Sequence, residues 1–195
     1  QSSHNESDYI NSLSILALRE KLVSLYRLEN DSVHEESELK AIVQIAEMLS
    51  TWNPQLYSTT YADALGDLQG YYNAHDDIES RLIVSTMAID AYESGKVIGY
   101  YAINKLATII QCSSLKLLID GHNSESEMWF NKLLEIYSYL DTMNHNSAKT
   151  KLVETLSCIG HAQNWGGKFV EAAETYKQAL HLLEDASCDE DIKMI

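Results

Sequence analysis

The chain has 195 residues, 45% of them apolar, which is enough for one domain with a real core. Its 29 carboxylates outnumber 14 Lys and Arg, for a net charge of −15. That balance excludes a nucleic-acid surface, which needs clustered cations, and argues against an anionic membrane, but it suits a basic partner.

With one proline and eight glycines the chain reads as mostly helical. Residues 1–7 form a polar, disordered lead. From Asp8 the spacing of Ile10, Leu13, Ala17, Leu18, Leu22, Leu25 and Leu28 predicts a helix apolar enough to be covered on both sides. Ser32-x-x-Glu35 reads as a capping box for a second helix through Leu39, Ile42, Val43, Ala46 and Leu49. Pro54 suits the first position of a third helix over about 55–72. Asp76 is placed to cap a fourth through Ile78, Leu82, Ile83 and Met87.

After Gly95 a fifth helix runs through Ile103, Leu106, Ala107 and Ile110 to Asp120-Gly121. Ser124-x-x-Glu127 is a second capping box, before a helix with Met128, Trp129, Leu133, Ile136 and Leu140. Residues 143–147 are polar. No apolar run reaches the roughly 18 residues of a membrane span, and no basic lead precedes an apolar core, so no membrane partner is expected. Cys112, Cys158 and Cys188 are odd in number and dispersed, as in an intracellular protein, cytoplasmic or nuclear, with reduced thiols.

The stretch from Val153 to Glu184 carries the most specific pattern. Leu152, Leu156, Ile159 and Gln163 share one helical face. Gly160 and Ala162 leave room for a second helix, and Gly166-Gly167 ends the first. Phe169, Ala172, Ala173, Tyr176, Ala179, Leu180 and Leu183 form the inner face of the next helix. Such a pair is an αα-hairpin.

This stretch, about 153–186, resembles a tetratricopeptide repeat. Ile159-Gly160 stands for the Leu-Gly pair, Leu156 for the Trp, Ala172 and Tyr176 for the Ala and aromatic, and Ala179-Leu180 for the closing Ala-Leu. Gln163 replaces the usual Tyr, and Glu184 the Pro. Leu65-Gly66 and Ala88-Ile89 echo the pattern more faintly, and hairpins begin near 55, 97 and 149. Those spacings exceed the simplest form and are similar to the extended repeats of kinesin light chain and LGN-like adaptors; HEAT-like or proteasome-lid-like repeats also fit residues 1–150. The resemblance implies an all-α fold of about eight helices. They would form antiparallel hairpins stacked as a tetratricopeptide-like right-handed superhelix, one helical-repeat domain over 8–195. Ser187-x-x-Glu190 reads as a further capping box, and with Ile192, Met194 and Ile195 it predicts another repeat beyond, so the chain reads as a fragment of a longer solenoid.

No nucleotide, redox or metalloprotease motif is present. Cys158 and His161 lack the further ligands that a structural zinc needs, so neither metal nor cofactor is expected. The family binds partner peptides or helices in the concave groove lined by first helices. By that resemblance the groove residues are Glu154, Ser157, Cys158, His161, Asn164 and Trp165, with Asp63, Asp67 and Tyr71 from the earlier repeat. A Trp beside a turn either packs between repeats or anchors a partner. Some members clamp the C-terminal carboxylate of heat-shock chaperones with Lys, Asn and Arg; here Ser157, Cys158 and His161 stand at those places, so that clamp is not expected. The acidic positions favour a basic or amphipathic segment of another protein. The expectation is a non-catalytic interaction scaffold in a larger protein or complex. The alternative is a positioning arm of a multidomain enzyme, such as a separase-like protease, with its catalytic domain elsewhere.

Overall fold

The structure, a computed structural model, describes residues 6–143 and 146–192. The first five residues of the polar lead, positions 144–145 and the last three residues lie outside it. Among the described residues there are eight α-helices and no strand. They are α1 (Glu6–Glu29), α2 (Ser32–Trp52), α3 (Pro54–Ala74), α4 (Ile78–Glu93), α5 (Tyr100–Ile119), α6 (Asn123–Thr142), α7 (Asn146–Trp165) and α8 (Phe169–Ile192). The all-helical expectation therefore holds. α1 begins at Glu6, inside the lead read as disordered. α8 runs through Ser187 without a break, so the capping box read there starts no new helix.

One turn recurs and organises the chain. Asn30, Asp76, Gly121 and Gly167 take left-handed φ values of 57°, 51°, 84° and 79°. They stand 46, 45 and 46 residues apart, and each closes an odd-numbered helix. After each, the next N–H reaches back over the last turn: Asp31 to the Tyr26 carbonyl (2.9 Å), Asp77 to Tyr72 (3.0 Å), His122 to Leu117 (2.9 Å) and Lys168 to Gln163 (2.8 Å). This is the six-to-one bond of a Schellman ending, which satisfies orphan helix carbonyls. Two of the four turns use Asn or Asp where glycine is usual, which hides them from a search for glycines.

Burial follows the same register. Five residues after each turn stand Glu35, Arg81, Ser126 and Ala172, all buried. Twelve after stand Ile42, Ala88, Leu133 and Ala179, also buried. Eleven before it in α3, α5 and α7 stand Leu65, Ile110 and Leu156, buried again. Among the described residues the same helix–turn–helix register thus recurs four times; in α1 the eleventh position before the turn is the half-buried Arg19 and not a buried apolar residue.

The chain forms two compact units, one ending at Leu106 and the other beginning at Ala107, within α5. In the first, α2 packs on α1 and α3, and α3 on α4. The α4–α5 connection is stitched down by serines. Ser50 Oγ donates to the Lys96 carbonyl, and Ser58 Oγ accepts from Ile98 N–H at 3.0 Å. In the second, α7 packs between α6 and α8. There Ser126 Oγ donates to the Ser114 carbonyl at 2.9 Å, which brings α6 close to α5. By length and composition α5 could cross a bilayer, and 56% of its apolar stretch is buried in the fold, as in a core helix.

Several local expectations change. The α2 N-cap is Asp31, whose carboxylate accepts from His34 N–H, not Ser32. Asp77, not Asp76, caps α4 by accepting from Ser80 N–H. Neither capping-box glutamate folds back. Glu35 takes Arg27, and Glu127 takes Gln163 and Lys168, because those donors lie nearby in space. Pro54 does occupy the start of α3. On α8, Ala172 and Ala179 face inward and Tyr176 is half-buried, while Phe169, Ala173, Leu180 and Leu183 are exposed.

Candidate functional site

The α7 residues expected to face a partner fall on one helical stripe, spaced three or four apart. Glu154 is exposed and accepts from Lys151 Nζ at 2.7 Å. Ser157 and Cys158 are half-buried. Burial first, and then the charge of Glu154, push the Cys158 thiol pKa up, so this sulfur is a poor nucleophile. His161, Asn164 and Trp165 are open to solvent.

His161 is the centre of a small ring cluster. Its ring lies 5.9 Å from that of Trp165 and 5.7 Å from that of Tyr176, which meets it edge-on. The Tyr176 hydroxyl and His161 Nδ1 share a hydrogen bond of 3.1 Å. Trp165 is 59% exposed, so it stands at the surface and not in a packed junction. Phe169 and Val170, just past the turn, are exposed as well. Sequence reasoning placed Phe169 on the inner face; its exposure follows from its place at the very start of α8. Behind the stripe, buried Gln163 donates to Glu127 at 2.9 Å and accepts from Thr175 at 2.8 Å. The residue that departs from the family pattern thus ties α7 to α6 and α8.

The α3 residues lie in the same register. Asp63 and Asp67, 13 and 9 residues before their turn, correspond to Glu154 and Cys158. The Asp63 carboxylate is paired with the Lys105 ammonium. Tyr71 is buried, and its hydroxyl donates to the Ser32 carbonyl at 2.9 Å, so it builds the wall and presents no free hydroxyl. Asp67 borders a cleft of about 660 Å³ in the first unit. Arg27 and the turn residue Asn30, the start of α2 (Ser32, Glu35), the α3 glycines Gly66 and Gly70, and Tyr71, Ala74 and His75 at the end of α3 line the rest of it.

Those two glycines, one turn apart, correspond to Ser157 and His161 of α7. No atom lies within 4 Å of where either Cβ would be, which leaves the cleft its depth. The spacing Gly66-x-x-x-Gly70 in an otherwise helical stretch was the available signal, because glycine costs a helix about 1 kcal/mol and needs a reason. Arg27 is engaged by Glu35, at 2.9 Å from Nε and 2.8 Å from Nη2. Water reaches Asp67, but the surrounding walls push its carboxyl pKa above the ordinary value, against the opposing pull of Arg27. Of the cleft's carboxylates Glu35 is paired with Arg27, which leaves Asp67 as the one that can receive a cation. Among the described residues no cluster of three His, Cys, Asp or Glu side chains is arranged to hold a metal.

No protein-family model matches this sequence, and no curated protein does so either.

Proposed function

We propose that the chain is a non-catalytic protein-interaction scaffold of tetratricopeptide-like helix hairpins, stacked as a right-handed superhelix. The observation that carries this reading is the recurrence of one helix–turn–helix unit in a 45–46-residue register. Repeats of this kind bury their faces on one another and leave first-helix stripes for partners. The period is longer than the 34 residues of the simplest tetratricopeptide form, in keeping with extended repeats of that class.

Two stripes suit the role in different ways. The α7 stripe offers exposed His161, Asn164 and Trp165, and Trp is a common anchor in protein interfaces. The α3 stripe offers the Asp67 cleft, where a partner's Lys or Arg would gain a carboxylate in a partly desolvated setting. A basic or amphipathic segment of another intracellular protein meets both demands.

The test is affinity capture followed by mass spectrometry, with three proteins compared at equal helicity. They are the wild type, a His161→Glu/Trp165→Ala double variant, and Asp67→Lys. A partner retained by the wild type and lost from either variant supports the stripes as binding sites. The same partners captured by all three would overturn the assignment.

A further inference from the structure

Glycine inside a helix costs about 1 kcal/mol and calls for a local reason. Among the described residues three glycines stand inside helices: Gly66 and Gly70 in α3, and Gly160 in α7. Gly160 has its reason within the chain, because the Tyr176 ring lies 2.6 Å from where its Cβ would be. Gly66 and Gly70 do not: no atom comes within 4 Å of either Cβ position, and both open onto the Asp67 cleft. In the 46-residue register their counterparts carry side chains: Glu20 and Ser24 in α1, Gln111 and Leu115 in α5, Ser157 and His161 in α7. The bare strip is therefore particular to α3.

Two further departures from the register meet at the same strip. Asp67 stands where the other units have Lys21, Cys112 and Cys158, and His75 where they have Glu29, Asp120 and Gly166. Helical spacing puts Asp67, Tyr71 and His75 on one stripe, beside that of Gly66, Gly70 and Ala74. No hydrogen bond or ion pair among the described residues engages Asp67, while Glu35 neutralises Arg27 at 2.8 Å. The His75 ring packs on Tyr71 with centroids 4.2 Å apart, and its Nδ1 donates to the Tyr71 carbonyl at 2.8 Å. A carbonyl only accepts, so the neutral ring holds its proton on Nδ1 and leaves Nε2 as an acceptor. The cleft thus offers a carboxylate and a ring nitrogen eight residues apart on one helix, or about 12 Å of axial rise.

We propose that this cleft receives one arginine of a partner protein, lying along α3 with its guanidinium on Asp67 and its main-chain N–H on His75 Nε2. An extended arginine with a hydrogen bond of about 3 Å at each end spans that distance. Its methylenes lie over the glycine strip, where any Cβ would lift them away. Arginine fits better than lysine, because the guanidinium fork engages both carboxylate oxygens and sheds water more readily than an ammonium. Hydration matters here, since the surrounding walls hold the Asp67 carboxyl pKa above its ordinary value. The proposal narrows the scaffold reading to one side chain, and it rests on that reading for the occupant being a protein.

NMR titration of the full, isotope-labelled chain tests it. The probes are Nα-acetyl-arginine amide, its lysine and citrulline counterparts, and free arginine. The blocked arginine should shift the amide signals of Gly66, Gly70 and His75. The lysine counterpart should bind more weakly, as should free arginine, which lacks a peptide N–H. Citrulline, of the same shape but uncharged, should leave the signals unmoved. Asp67→Asn should abolish the response. Gly70→Ala should weaken binding about tenfold, because the added methyl overpacks the contact. The same variant should melt higher than the wild type, so its lost affinity is not lost fold. The proposal is overturned if the blocked arginine moves nothing, if lysine or citrulline matches it, if free arginine binds more tightly, or if Gly70→Ala binds as the wild type does. The titration reads the cleft alone and affinity capture reads the scaffold, so either can fail without the other.

Discussion

The Tyr176 ring fills the space that a side chain on Gly160 would need. A Cβ at residue 160 would lie 2.6 Å from Tyr176 Cε1 and 2.8 Å from Cζ. Replacing Gly160 by Ala gains about 1 kcal/mol of helix propensity but overpacks the junction by about 1–3 kcal/mol. Urea denaturation should show Gly160→Ala as a net loss of about 1 kcal/mol. In a Tyr176→Ala background the obstruction is gone, and the same substitution should become stabilising. A loss of equal size in both backgrounds would show that the ring is not the obstacle.

Glycines elsewhere behave differently. Gly70 lies inside α3 with no atom within 4 Å of a Cβ, so Gly70→Ala should raise stability by about 0.5–1 kcal/mol. Gly167 has equal space but a φ of 79°, so Gly167→Ala should lower it by about 1–2 kcal/mol. Thermal melts of the two variants should move in opposite directions.

The caps give an acid dependence. Backbone hydrogen bonds from His34 to Asp31 and from Ser80 to Asp77 hold both carboxyls below the usual aspartate value. A depressed folded pKa means the stabilisation is present above the unfolded value, about 3.9, and disappears as pH falls through the folded pKa. Asp31→Ala and Asp77→Ala should each lower the melting temperature at pH 7. The difference from wild type should shrink as pH falls through the folded pKa of each carboxyl, below the ordinary aspartate value.

Gln163 joins Glu127 to Thr175 in a buried site. Removing its amide leaves polar partners unmatched, at about 1–3 kcal/mol. A double-mutant cycle of Gln163→Ala with Thr175→Val should give a coupling of about 0.5–3 kcal/mol. Strict additivity would mean that the 2.8 Å contact contributes no energy.

Much of the local structure was legible before any coordinates. Helical spacing marked all eight helices, Pro54 marked the start of α3, and Gly166-Gly167 marked the turn before α8. These follow from φ preferences and bonds four residues apart, which nearby sequence controls. The candidate stripe on α7 was legible for the same reason, since helical spacing sets which residues share a face.

The rest depended on neighbours distant in sequence. Asn30 and Asp76 take the left-handed turn positions that glycine usually fills, so the 46-residue register emerges only from backbone angles. Glu35 and Glu127 follow serines at capping-box spacing, yet bind Arg27, Gln163 and Lys168, because a carboxylate takes the best donor in space and not in sequence. Leu18 and Leu183 sit in apolar patterns that look no different from Leu65 or Ile110, but they are exposed. Periodicity shows which face of a helix is apolar; whether another helix covers that face is decided by packing alone.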